Sequence, residues 1–219
     1  LIVYKTDAFE KEQRHTTAQL NAATYGERIK NEIVNGTEIT DTLEQILISD
    51  DGTIKHFNTI AKNLMSDSIE SVQLAPHGVV TDIYPAEGNE AGKIDLLHDK
   101  DRGEISCYAR DNHTVITQGP FELKQGDYGI AVRNPVYLND ENGQEYFWGF
   151  TIVILRVPEI FSDSISALSN FGYEYKLSKT DTPWSDTYEV VCQSDGNLTN
   201  PVSYDFTIGE ENWRFEVMP

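Results

Sequence analysis

Glu87, Asn89 and Glu90 crowd around Gly88 in the stretch "YPAEGNEAGKIDLL", where a β-strand gives way to a helix, and Asp95 follows in the apolar run. Carboxylates gathered on one loop serve three chemistries. Two held a fixed distance apart hydrolyse glycosides. Oxygen ligands at regular spacing around a glycine turn bind calcium. Acids at the mouth of a pocket hydrogen-bond a ligand. "EGNEAGKID" fits neither the calcium-loop spacing nor a carboxylate pair. Solvated or capping acids are the default reading in so acidic a chain, ligand contact comes next, and metal binding or catalysis last.

Arg133 is more pointed. It lies mid-strand in "GIAVRNPVY", on the face it shares by alternation with Gly129 and Ala131. Small neighbours leave room for a ligand or for the arginine stem. An arginine reaching into a pocket takes a carboxylate, a phosphate or another acceptor. The alternatives are an internal salt bridge, for example to Asp95 or Glu87, and an edge-strand charge that guards against aggregation. Tyr146, Trp148 and Phe150 share one face of the last long strand, and Phe147, Gly149 and Thr151 the other. Aromatics so placed are usually core, and Gly149 marks a close approach by another group. The five histidines, His15, His56, His77, His98 and His113, have no metal-binding spacing, and there is no G-x-S-x-G, P-loop or dinucleotide fingerprint. On these residues alone there is no catalytic set, no metal site and no cofactor.

The elements that would position these residues follow from periodicity. Residues 3–35 lack proline and are predicted helical, with Tyr25, Ile29 and Ile33 four apart and Leu20 and Ala23 adding to the stripe. "NGT" at 35–37 reads as a stop with Gly36 as C-cap. Helices are predicted over 38–49 and 53–66, and strands over 69–75 and 78–84. A helix follows near 101–111, then strands in "HTVITQGPFEL", "YGIAVRNPVYL" and "EYFWGFTIVILRV", the last two joined by the Asn-Gly hairpin of "NDENGQ". Pro158 opens a helix that Gly172 ends, and 173–219 is β-rich. Hairpin, helix and three-strand meander describe a PAS-like sheet. One face packs on the long helix, and the other closes over a cavity with the short helix as its lid.

Composition narrows the class. The 219 residues include 39% hydrophobic and 24% charged residues, ordinary for a globular protein. The balance of 36 acids against 17 bases, net −19, repels nucleic acid and anionic lipid, so neither is an expected partner. Cys107 and Cys192 form no CxxC, so a structural zinc is not expected, and two free buried thiols are favoured over a disulfide. The opening "LIVY" is far short of the about 20 apolar residues that span a bilayer.

Taken together and in order, "YPAEGNEAGKIDLL", "DRGEISCYARD", "TVITQGPFELKQGDYGIAVRNPVY" and "YFWGF" closely resemble the CHASE domain, the extracytoplasmic sensory module of bacterial and plant receptors. The resemblance covers about residues 70–160. It implies an α+β fold: a long N-terminal stalk helix followed by tandem PAS-like antiparallel-sheet units, set between two transmembrane helices. On that pattern 1–66 is the stalk and helical segment, 67–160 the membrane-distal ligand-binding unit, and 161–219 a connecting helix with a small membrane-proximal β unit. "LIVY" and the closing "WRFEVMP" then stand where membrane helices would adjoin. The implied partners are a small-molecule ligand, a second copy of the chain through the N-terminal helix, and a cytoplasmic histidine kinase or diguanylate cyclase. Plant members bind the adenine derivative cytokinin. They have a small polar residue where Arg133 stands, and an arginine there favours an anionic or carbonyl-bearing ligand over an adenine. "EGNE" is the bacterial form of the motif. The residues expected at the ligand are Tyr84, Glu87, Asn89, Asp95, Thr117, Arg133 and Trp148. A secreted carboxylate-based hydrolase and a structural or adhesive ectodomain are the competing readings.

Overall fold

The first helix, α1, runs unbroken from Ile2 to Ser49, straight through the stop predicted at 35–37. A glycine costs a helix only about 1 kcal/mol relative to alanine. Against that stands one buried stripe, Ala18, Ala22, Gly26, Ile29, Ile33, Gly36, Thr40, Leu43 and Leu47, stepping by three or four residues. Fully burying each of its large aliphatics contributes about 1.5–3 kcal/mol. Leu20 falls off the stripe and is exposed. Gly26 and Gly36 allow close approach instead of ending the helix. A Cβ on Gly26 would lie 2.4 Å from the Tyr204 ring, and one on Gly36 would lie 2.9 Å from the Leu155 methyl carbons.

The computed structural model describes residues 2–86, 91–124 and 126–219. After α1 comes α2 (Phe57–Leu64), then β1 (Ile69–Pro76) and β2 (Asp82–Tyr84), α3 (Gly103–Asn112), β3 (Ile116–Glu122), β4 (Tyr128–Asn139) and β5 (Glu145–Val157). A 3₁₀ turn (Glu159–Phe161) leads into α4 (Ser162–Asn170), followed by β6 (Glu174–Thr180), β7 (Tyr188–Gln193), β8 (Val202–Ile208) and β9 (Glu211–Met218). Two antiparallel sheets result, ordered β2-β1-β5-β4-β3 and β7-β6-β9-β8. The α+β architecture is the one expected, a long N-terminal helix followed by two antiparallel sheets.

The stripe of α1 serves both sheets. Leu43 and Leu47, with Phe57 and Ala61 of α2, pack on Val72, Leu74, Val132, Val153 and Leu155 of the first sheet. Ala18, Ala22, Ile29 and Ile33, with Leu168 of α4, pack on Leu177, Phe206, Phe215 and Val217 of the second. The opposite face of the first sheet carries a third cluster with Ile105 and Ala109 of α3. Cys107 and Cys192 are both free thiols.

A buried carboxylate joins the two sheets. Glu211, at the start of β9, is 1% exposed. It accepts the Thr117 N–H at 3.0 Å and the Thr117 hydroxyl at 2.6 Å, on the edge strand β3. Burial pushes its pKa up, while the buried Lys179 and the Thr117 hydrogen bonds pull it back. On the adjoining residue, the Tyr108 hydroxyl of α3 donates to Glu210.

Two outcomes test this packing. Gly26→Ala would add stability on an exposed helix, but here the new methyl meets a Tyr204 ring whose hydroxyl is bonded to Glu27. Overpacking of about 1–3 kcal/mol outweighs the about 1 kcal/mol propensity gain. Urea denaturation should show a less stable variant, and a more stable one would mean α1 does not seat on β8. Second, Glu32 of α1 lies near Asp163, with Arg28 on its own helix. Burial, then repulsion by Asp163, raises its pKa from the ordinary 4.5 to about 7 against the pull of Arg28. The folded state therefore holds an extra proton between those values, and stability falls as pH rises through that window. Glu32→Gln should flatten this part of the stability–pH curve, and an unchanged slope would contradict the assignment.

Candidate ligand-binding cavity

The face of the first sheet turned away from α1 is the floor of a cavity. Pairing sets which side chains reach it, because directly opposed residues share a face. Gln73 opposes Ile152, Ser71 opposes Ile154, Ala131 opposes Ile154, and Arg133 opposes both Ile152 and Ile116. Ser71, Gln73, Ala131, Arg133, Ile152 and Ile154 all line the cavity. Glu70 joins them because a bulge between Ile69 and Ser71 turns it to the rim. There it accepts a hydrogen bond from Arg156 at 2.7 Å.

The roof comes from two connections. After β1, Gly92 donates to the Val80 carbonyl, Val80 to that of Ile94, and Leu96 to that of Gly78. This ladder holds Ile94 and Leu96 over the sheet. Asp99 then accepts the backbone N–H groups of Asp101 and Arg102, which starts α3 and brings Arg102 to the rim. The second connection is the β3–β4 turn, which supplies Phe121, Glu122, Leu123 and Lys124. Leu123 presses onto Gly129, where a Cβ would lie only 2.9 Å away. A bulge between Gln118 and Phe121 sets the angle of that turn.

The partly enclosed space is about 250 Å³, at the small end for a metabolite. Among the described residues three grooves are larger, about 850 Å³ and 360 Å³ along the N-terminal half of α1 and about 730 Å³ beside the 3₁₀ turn. All three lie more open to the surface, and the deeper seclusion of the smaller cavity decides in its favour.

Charge distinguishes the cavity further. Arg133 is 3% exposed. Among the described residues no carboxylate forms an ion pair with it, and its hydrogen bond goes to the neutral Gln118 amide oxygen at 2.5 Å. Burial, then the neighbouring Arg102, pulls its pKa down to about 9, with Asp99 acting the other way. It remains a cation at neutral pH. Arg102 is itself held by Asp99 at 3.1 Å. A protein of net charge −19 thus keeps a buried guanidinium, with a second one nearby, at the wall of a partly enclosed space. Guanidinium groups are chemically suited to planar anions, which accept paired N–H donors.

The residues expected at the ligand separate. Arg133 lines the cavity. Tyr84 packs with the core on the α1 and α2 side of the sheet. Thr117 opposes Val132 and carries the joint to Glu211. Trp148 is on the α1 side too, its indole N–H donating to the Gly52 carbonyl at 3.0 Å. A bulge between Val136 and Tyr137 puts Trp148 and Phe150 on opposite faces, against the alternation expected. Gly149 is the close approach anticipated: a Cβ there would strike the Ala75 carbonyl oxygen. Asp95 is half-exposed and bonds His98 at 2.8 Å and the Leu97 N–H at 3.2 Å, while its neighbours Ile94 and Leu96 face the cavity. Glu87 and Asn89 lie outside the described residues. Sequence reasoning missed Gln73, Arg102 and Gln118. Alternation along β1 from the buried Val72 and Leu74 marks Gln73, but nothing local marks the other two.

Comparison with solved structures finds this architecture elsewhere. An extracellular ligand-binding receptor from Desulfohalobium retbaense superposes with a TM-score of 0.64 at 13% identity, over 94% of this chain and 40% of that one. This chain therefore spans well under half of that protein. The ligand-binding domain of the Pseudomonas aeruginosa amino acid chemoreceptor PctC, in complex with GABA, gives 0.56 at 15% identity, over 97% and 98% of the two chains. The periplasmic sensory domain of the Campylobacter jejuni chemoreceptor Tlp1 gives 0.55 at 12%, over 95% of each. At such identities the likeness establishes the fold. No curated protein sequence matches the chain. Residues 9–187 match the CHASE domain family model, most of the chain's length. The chain therefore belongs to the CHASE domain family, whose members are extracytoplasmic sensory modules.

Proposed function

We propose that this domain senses a small anionic metabolite outside the cytoplasm of a bacterial cell and passes the signal through flanking transmembrane helices to a cytoplasmic histidine kinase or diguanylate cyclase. The observation that carries the reading is Arg133, a buried cation without a described ion-pair partner at the wall of a partly enclosed cavity. In this reading 67–160 is the membrane-distal sensing unit and 161–219 the membrane-proximal one. The solved chemoreceptor domains support the ligand class. One is in complex with GABA and the Tlp3 domain of Campylobacter jejuni (TM-score 0.52, 10% identity) with 4-methylisoleucine; both compounds are zwitterions, and what they share with the proposed ligand is the carboxylate alone. A hydrolase reading has less support, because one of the two lining carboxylates, Glu70, is engaged by Arg156, which leaves Glu122 without a free carboxylate to pair with in the described lining.

A thermal-shift screen of small carboxylates, with their primary amides as neutral controls, tests the proposal. A ligand at 100 times its Kd adds about 2.7 kcal/mol of stability. Arg133→Met should abolish the shift given by a carboxylate, and a shift that survives in the variant counts against the reading.

The receptor acts as a homodimer through α1. Support comes from Ile2, Val3, Tyr4, Phe9 and Leu20, large apolar side chains left exposed on its N-terminal half. Sedimentation velocity should show concentration-dependent association that Leu20→Glu weakens. A monomer at every concentration would contradict this geometry.

A further inference from the structure

We infer that Gln118 is the positioning residue that aims the Arg133 guanidinium into the cavity and ties it to the segment forming the roof. The inference rests on the anion-sensing reading above.

Gln118 opposes Ala131, and Ile116 opposes Arg133, so Gln118 is the diagonal neighbour of Arg133 on the cavity face. Its amide orientation is determined by its two partners. A guanidinium only donates and a backbone carbonyl only accepts. The amide oxygen therefore receives the Arg133 Nη1 hydrogen at 2.5 Å, and the amide nitrogen donates to the Asp101 carbonyl at 2.8 Å. The acceptor is neutral. It fixes where the guanidinium plane lies without cancelling its charge, so the cation is held in place and still available to a ligand.

The choice of glutamine then has a chemical meaning. Glutamate has the same shape but would place a carboxylate against Nη1 and neutralise the cavity from within. Leucine would leave the guanidinium unaimed. The second bond matters equally. Asp101 lies in the turn that Asp99 caps, immediately before Arg102. Gln118 thus connects the floor cation to the stretch carrying the rim cation. Its own backbone is fixed on both sides. Thr117 is clasped by Glu211, and Gly119 sits so close to the Gly129 carbonyl oxygen that a Cβ would lie 2.7 Å from it. A ligand that draws Arg133 toward itself pulls on Gln118 and through it on the roof.

The experiment uses Gln118→Glu and Gln118→Leu with the same probes: acetate, pyruvate, succinate, GABA and isoleucine, against their primary amides. Gln118→Glu should lose the carboxylate-induced thermal shift while responding to the amides as the parent does. Gln118→Leu should keep its circular dichroism spectrum and bind carboxylates about tenfold more weakly, as expected for losing the partner of a charged group. A merely structural glutamine would lower the unliganded melting temperature without changing selectivity between carboxylate and amide. Carboxylate binding by Gln118→Glu as tight as the parent's overturns the inference. If that variant does not fold, an unchanged carboxylate Kd in Gln118→Leu overturns it. Arg133→Met separates the two levels: should it keep the carboxylate shift, or should the parent show none, the anion-sensing reading itself fails and takes this inference with it.

Discussion

A guanidinium removed from water costs several kcal/mol unless an opposite charge or a full set of acceptors compensates it. Arg133 is buried with a neutral amide as its described partner, and a second guanidinium, Arg102, lies close enough to repel it. Much of the first sheet serves that one arrangement. Ala131 clears space along β4, Gly129 lets Leu123 of the roof pack down onto the sheet, and the bulge beyond Gln118 turns the β3–β4 connection over the opening. Asp99 holds Arg102 at the rim and offsets part of the repulsion. Among the described residues no carboxylate meets the remaining electrostatic need, and the small anion proposed as the ligand would. Binding strength then comes from pairing a charge already desolvated, so a small cavity suffices.

The strand at the cavity wall is joined directly to the second sheet. β3 carries Gln118 on the cavity face and, one residue earlier, gives the Thr117 N–H and hydroxyl to Glu211. Glu211 begins β9, an interior strand of the second sheet. On the other side, α1 packs against both sheets through a single stripe, with Gly26 seated on Tyr204 and Gly36 on Leu155. A shift of either sheet against α1 therefore has to be accommodated at two glycine contacts and one buried carboxylate. A ligand biases such an arrangement only by its difference in affinity for the alternatives, and the Arg133–Gln118 pair is where that difference would be made.

Much of this was legible in the sequence, and its failures share a cause. The period-two pattern around "GIAVRNPVY" placed Arg133 with Ala131 and Gly129, and the structure keeps that face. The same rule fails at Trp148 because one bulge between Val136 and Tyr137 shifts the parity of the strand; its local mark is Gly149, at φ +149 in the strand interior, which signals a bulge as readily as a close approach. Thr117 and Tyr84 were placed by position in a family pattern, whereas pairing puts both on the α1 side. The long helix was divided at Gly36 because glycine marks both helix ends and tight contacts. The tertiary partner, Leu155, lies more than a hundred residues away. Gln118 and Arg102 were invisible for a similar reason: their roles exist only once β3 and the roof meet over β4.

The account stands most directly on what occupies the space beside Arg133. A crystal structure of the domain grown with a mixture of small carboxylates should show density for a planar anion within hydrogen-bond distance of the Arg133 guanidinium, under the roof formed by Ile94 and Leu96. Finding that space filled by the protein's own side chains, with a carboxylate of the chain paired to Arg133, would contradict it.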